Sequence, residues 1–334
     1  MIIMIRQLQA IMKSRDLFRN WLWAGFKYML IKRGLLNDEI DVLFKCGFKT
    51  GFELGNISQI VNLYRDGLIS GFECKNDSII ASVLDVIKLV IDKKGNALLT
   101  MPDGIRLGHI DLFIISETWL HDIHFLNLDL NNWLVFDIGA YVGDASLYYA
   151  KRGATVIAVE PVPHHFQIML KNIELNPELK SKIVPVNAAI SSNEGYTNIF
   201  YDNTVDGTAS IYETKRFKDS VRSMRLSTLM NEISNFGINY ESFKIKALKM
   251  DCKGCEWDVV NNELEALKLF DIIKIEYSGY LRNYTYEDLL AKIMPLGYKC
   301  RIWAHNEIAV KIGLSKHGTM TCIREGFNPL TLMV

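Results

Sequence analysis

The chain lacks several features that would assign it to a class at once. Its 38 basic side chains are matched by 38 acidic ones, so net charge gives no general attraction to nucleic acid or an acidic surface. No apolar run is long enough to span a bilayer, and no leader with a small-residue cleavage site is visible. Cysteine is sparse: Cys46, Cys74, Cys252, Cys255, Cys300 and Cys322 are scattered through 334 residues. A chain of that length does not need disulfides, so reduced thiols and a cytoplasmic protein are the expectation. Cys252 and Cys255 form one CxxC, but no second pair exists at zinc-site spacing, so no metal is expected. The pair reads as small residues at a strand-to-helix turn.

What is present is a large apolar fraction, 49%, with 11% aromatics, enough for one sizeable core and a smaller appendage. The stretch WLVFDIGAYVGDASLYYAKRGATVIAVE, residues 133 to 160, organises the rest. Trp133 to Phe136 is an apolar run suited to a strand buried on both faces of a parallel sheet, and it runs into Asp137. Gly139 and Gly143 bracket a tight turn, a helix follows, and Gly153 is placed just past its last turn. Thr155 to Val159 is a second strand, closed by Glu160.

Two adjacent parallel strands ending this way would offer a nucleotide-like ligand close backbone, a helix N-terminus and an acid for a ribose diol. The glycine spacing is not the GxGxxG that places a pyrophosphate on a helix N-terminus, and Asp137 would repel a pyrophosphate. An ammonium-bearing ligand fits better, and S-adenosyl-L-methionine (SAM) carries an ammonium, a carboxylate and a ribose. Asp137, Gly139, Tyr141, Gly143 and Glu160 are therefore candidate cofactor contacts. Lys182 to Ile190 reads as the third strand.

VFDIGAYVGDASLYYA followed by VIAVEP, and later LKMDCKGCEWDVV and IIKIEYS, resemble the FkbM family of class I SAM-dependent methyltransferases. The resemblance covers roughly residues 105 to 310. It implies an α/β, Rossmann-like fold with a seven-strand, mostly parallel sheet and helices on both faces. It also implies SAM as methyl donor and O-methylation of a hydroxyl on a sugar, glycan or related metabolite. Asn187 and Ala188 fall where such enzymes contact adenine, and the tip of the strand ending at Asp251 faces the transferable methyl. This chain departs from the pattern at Tyr141, where the family commonly has Asn, and at Lys253, where it usually has Glu. On this reading residues 131–334 are the methyltransferase domain and residues 1–130 an accessory region of helices and a hairpin.

Ile245 to Met250 and Ile272 to Tyr277 read as the fourth and fifth strands, and Tyr298 to Trp303 with Met320 to Arg324 as a closing antiparallel hairpin. An alcohol acceptor must lose its proton, so a base is expected, with Asp251 first, then Glu276 and Glu256. His164 and His165 read as solvent-facing. Residues 202 to 220 read as a polar loop, and its vicinity carries Lys215, Arg216, Lys218, Arg222 and Arg225. That cluster and the basic surplus of residues 1 to 50 leave RNA open as an alternative substrate, and the two departures with the apolar N-terminal helix leave open a non-catalytic module.

In the first 130 residues, 5 to 33 read as one helix stopped by Gly34, with an apolar face so broad that it needs cover. The cover would be the catalytic domain, a partner chain or, given nearby basic residues, a membrane surface. Ser78 to Ile91 reads as a helix, and residues 96 to 110 as a hairpin turning at Asp103 and Gly104.

Overall fold

The computed structural model describes residues 2–36, 38–121, 123, 128–202, 207–304 and 307–327. The chain divides into two units, Met1–Trp119 and Leu120–Val334.

The first unit opens with two helices rather than one, α1 (Ile2–Leu17) and α2 (Trp21–Lys32). The break falls at Phe18, which leaves the helix to form a β-bridge with Phe44 and packs its ring edge-on against it. Asn20 then fixes the corner, its side chain donating to Asp41 O and accepting from Leu43 N. Gly34 does stop α2, at φ 71°. A short hairpin of β1 (Ile40–Leu43) and β2 (Lys49–Phe52) follows, then α3 (Leu54–Arg65).

The unit's main sheet runs in the order β3 (Glu73–Cys74), β4 (Ser78–Val83), β5 (Ile87–Asp92), β6 (Ala97–Thr100) and β7 (Arg106–Leu107), antiparallel throughout. The expected helix over 78–91 is thus a hairpin. Its apolar residues satisfy a two-residue period as well as a helical one, and Ile79, Ala81, Val83, Ile87, Leu89 and Ile91 are all buried. Leu84 and Asp85, both at positive φ, make the reversal. The hairpin turning at Asp103 and Gly104 is present as β6 and β7, with Met101 bonded to Ile105 across the turn. A four-residue helix, α4, occupies Leu112–Ile115.

The second unit is built on a seven-stranded sheet. Its strands are β8 (Trp133–Ile138), β9 (Thr155–Val159), β10 (Ile183–Val186), β14 (Ile245–Met250), β15 (Ile272–Ser278), β16 (Tyr298–Trp303) and β17 (His317–Arg324). They lie in the order β10-β9-β8-β14-β15-β17-β16. The first five are parallel, and β17 runs antiparallel between β15 and β16. This is the class I methyltransferase arrangement. All six residues of β8 are buried, as a strand covered on both faces requires. Phe136 packs edge-on against Phe270, with centroids 5.3 Å apart.

The helices are α5 (Asp144–Lys151) after β8, α6 (Pro163–Leu175) after β9, α7 (Leu226–Glu232), α8 (Cys255–Asn262) after β14, α9 (Leu264–Leu267), α10 (Tyr286–Ile293) and α11 (Glu307–Ile312). The expected third strand is split: the chain leaves β10 at Asn187 and enters a second sheet at β11 (Ala189–Ile190). That sheet, ordered β11-β13-β12, pairs β12 (Gly195–Tyr201) with β13 (Phe217–Met224) along its whole length. Residues 217 to 220, read above as loop, are therefore strand. No described helix is long and apolar enough to cross a membrane.

Succession along the chain runs outward from β8 to β9 and β10, then returns to β14 on the other side of β8. The crossover lies between β8 and β14, and the crevice at the carboxyl ends there is where a sheet of this kind binds ligands.

Candidate active site at the strand crossover

Two turns meet at that crevice. After β8, Gly139 takes φ 78°, and a Cβ built on it would lie 2.0 Å from Asp251 O, so only glycine lets the β8 and β14 tips approach this closely. Asp251 N donates to Ile138 O at 2.9 Å, tying the tips together. Tyr141 is also left-handed, at φ 51°, a conformation that Asn tolerates and an aromatic residue adopts only at a cost. Its backbone N–H donates to Glu160 Oε2 at 2.9 Å, and its ring stands edge-on to His165, centroids 4.7 Å apart. Gly143 caps α5 at φ 80°.

Asp137 is fully buried and serves the interior. Its Oδ2 accepts from Ser146 Oγ at 2.6 Å, and Oδ1 lies 2.9 Å from Lys249 Nζ on β14. Burial alone would lower the Lys249 pKa, but Asp137 and Asp251 outweigh it and hold the ammonium above its ordinary range. Lys249 also donates to Gly139 O at 3.0 Å, so one cation fastens both the acid and the glycine of the first turn. Glu160, at the end of β9, accepts from Tyr141 N and from Val162 N at 2.8 Å. His165 is buried rather than solvent-facing, its Nδ1 3.5 Å from Glu160 Oε1, because the first turn of α6 presses it against Tyr141. His164 is exposed. Asn187 is exposed, its side chain donating to Glu160 O at 2.7 Å, while Ala188 beside it is buried.

The second turn follows β14. Lys253 is left-handed at φ 49° and reaches two carboxylates, Asp251 Oδ1 at 2.6 Å and Glu276 Oε1 at 2.5 Å. Burial opposes its charge, but those two neighbours raise its pKa well above the ordinary lysine value. Glu276, near the end of β15, also has His317 Nε2 at 3.9 Å. Glu256 is fully buried, accepting from Gly254 N at 2.8 Å and Ser278 N at 2.9 Å. Burial pushes its carboxyl up to about 7 against those donors. The structure thus brings Asp251, Glu276 and Lys253 together and sets Glu256 behind them as a brace between two loops.

Comparison with known proteins places this geometry. Residues 137–300 match the family described as the methyltransferase FkbM domain. These residues form a methyltransferase FkbM domain. A solved FkbM methyltransferase from Methylobacillus flagellatus KT is 13% identical, aligned over 59% of this chain and 44% of that one, with a TM-score of 0.38. The chain thus spans less than half the length of that protein. An O-methyltransferase from Bacillus cereus in complex with SAH is 12% identical over 65% of this chain and 83% of that one, TM-score 0.36. Fibrillarin from Aeropyrum pernix with natively bound SAM is 9% identical over 76% and 98%, TM-score 0.36. No curated protein matches the chain.

SAM is the cofactor of an FkbM domain, and the residues at the crossover fit it. The Gly139 bend brings main chain, with no side chain between, to the crevice edge beside Asp251. Glu160 fixes the turn and still carries acceptor lone pairs on both oxygens for a ribose diol.

Several partners in this FkbM domain were not legible in the sequence. Ser210 Oγ donates to Lys253 O at 2.7 Å, and a Cβ on Gly254 would meet the Tyr212 ring at 2.3 Å, so residues 210–212 press on the second turn. Tyr212 donates its hydroxyl to Asp258, which also takes Arg282 Nη1 at 3.2 Å. A lysine inside a wholly buried strand end, as Lys249 is, was the signal that an acid had to face it. The cysteines are paired rather than reduced, as Cys46–Cys74, Cys252–Cys255 and Cys300–Cys322. The last pair sits directly across β16 and β17, a juxtaposition that linear spacing hides. Ligand atoms of Cys252, Cys255 and Glu256 lie within 4.8 Å of one another, but the sulfurs are bonded to each other and Glu256 is braced by backbone donors.

Proposed function

We propose that this chain is a SAM-dependent O-methyltransferase acting on a hydroxyl of a sugar, glycan or related metabolite. One observation carries the reading: Asp251 and Glu276, held by one lysine, stand at the crossover where Gly139 meets Asp251, with Glu160 fixing the turn between β8 and its neighbour β9. Bound there, the cofactor supplies a sulfonium methyl, already electrophilic. Glu160 would hold the ribose, Asn187 and Ala188 would flank the adenine, and the bend from Gly139 to Gly143 would let main chain approach.

The protein's remaining work is alignment and removal of a proton. Holding the acceptor in line is worth up to roughly 7–11 kcal/mol. Asp251 is the first candidate for base, since its side chain is 29% exposed against 13% for Glu276. Glu256 is enclosed and fully engaged, which supports a bracing role. A proton arriving on Asp251 would leave the Lys253 ammonium still paired with Glu276, so the charge is never stranded. The basic cluster that suggested RNA is partly engaged, since Arg222 pairs with Glu232 at 2.6 Å, and RNA is kept as a separate pool in the test.

The test is incubation of the protein with methyl-labelled SAM and separate pools of glycans, small hydroxylated metabolites and RNA, followed by mass spectrometry. A gain of one methylene on a hydroxylated glycan or metabolite is expected. Label on RNA alone, or none on any pool while SAM binds, would overturn the assignment.

A further inference from the structure

The α2 helix is amphipathic the wrong way round for a water-soluble surface. Its outward side carries Leu22 (67% exposed), Trp23 (57%), Phe26 (48%) and Met29 (41%), and Leu35 (64%) and Leu36 (43%) continue the apolar surface past its end. Its inward side buries Ala24, Gly25 and the lysine Lys27. Gly25 lets α1 come close, since a Cβ there would meet Ile11 Cγ2 at 3.0 Å. Lys27 is satisfied by Asp38 at 2.6 Å and Asp41 at 3.6 Å. The polar residue is therefore already compensated inside, while the apolar ones face out. Leu22, Phe26, Met29 and Arg33 recur at spacings of four, three and four, one stripe along the helix. Trp23 and Phe26 lie with ring centroids 6.0 Å apart.

The charge around this patch selects its occupant. Lys13, Arg15, Arg19, Lys32 and Arg33 are all exposed; Asp16 lies 3.9 Å from Lys13 and 3.8 Å from Arg15, and Asp38 and Asp41 are taken up by the inward Lys27, so with Glu39 counted the basic side chains remain in excess. A second copy docked by two-fold symmetry would set this basic rim against itself. An anionic lipid surface meets both halves of the pattern, taking the apolar stripe into the acyl boundary and the rim at the headgroups.

We infer that α2 with its flanking basic residues is a peripheral docking surface for an anionic lipid bilayer. The helix lies in the interface and does not cross it. This inference rests on residues 10–36 and is independent of the methyl acceptor.

The test is co-sedimentation of the full chain with vesicles of phosphatidylcholine alone and of equal parts phosphatidylcholine and phosphatidylglycerol. Wild type is expected to partition into the anionic vesicles at least about tenfold more strongly, with the advantage falling as salt rises. The double variant Trp23→Ser, Phe26→Ser alters exposed side chains only and should lose most of the binding. Lys32→Gln with Arg33→Gln should remove the preference for phosphatidylglycerol. Equal partition of wild type into both vesicle types, or none, overturns the proposal. So does a concentration-dependent dimer, seen by light scattering and abolished by the apolar double variant, in a protein that ignores vesicles.

Discussion

The turn after β8 and the turn after β14 are built alike and used differently. Each sets an acid near the strand end, then a non-glycine residue at positive φ, Tyr141 or Lys253, then a positive-φ glycine that caps the next helix. In the first turn the acid is sealed inside and neutralised by Lys249. In the second, Asp251 remains partly open and its lysine belongs to the turn itself. The first turn spends its charge on fixing backbone, and the second keeps charge at the crevice. Both turns hold a non-glycine residue at positive φ, so local strain is retained at the crevice.

If that contrast is right, the two lysines are not equivalent. Lys249→Met strands the buried Asp137 carboxylate and should cost about 3–5 kcal/mol of stability, or prevent folding. Lys253→Met, beside a partly open acid, should cost about 1–3 kcal/mol while cutting methyl transfer more than SAM binding. Urea denaturation of both variants reads the difference, and equal losses would erase the distinction.

The brace behind the second turn predicts a pH effect. Folding raises the Glu256 pKa from its ordinary 4.5 to about 7, so the folded protein holds that proton more tightly than the unfolded chain. The stability this contributes is complete below pH 4.5 and is lost as pH climbs towards 7, roughly 3 kcal/mol in all. Denaturation midpoints across that window should slope downwards in wild type relative to Glu256→Gln. Parallel profiles would show that Glu256 is not held as described.

The two glycines sharpen the comparison further. Gly139→Ala meets main chain at Asp251 and must part the strand tips, whereas Gly254→Ala meets a side chain, the Tyr212 ring. Backbone strain costs about 1–3 kcal/mol in each, and the first should exceed the second and abolish SAM binding in calorimetry. The smallest effect is Tyr212→Phe. Asp258 keeps Arg282 and Ser192, so thermal unfolding should register a loss of only about 1 kcal/mol.

The second unit was legible because a strand buried on both faces writes itself as an unbroken apolar run, and its acids fall at the ends. Trp133 to Phe136 was recognisable for that reason, whereas Ile245–Met250 and Ile272–Ser278 are interrupted by Lys246, Lys249, Lys274 and Glu276 and were placed by the order of the motifs around them. The first unit was not. ASVLDVIKLV supports two periods at once, and the break at Phe18 carries neither proline nor glycine, being imposed by Phe44 just past β1. Within the site the residue types were readable and their partners were not. Asp137 was matched to a ligand ammonium, and its near neighbour proved to be a lysine 112 positions away in the chain, 249 against 137.

The central claim is that the crossover between β8 and β14 is a SAM site with Glu160 at its ribose end. Isothermal titration of SAM into wild type and Glu160→Ala tests it directly. The account predicts saturable binding by wild type and a loss of roughly tenfold to a hundredfold in the variant. Equal affinity in the two proteins, or no binding by wild type, would contradict it.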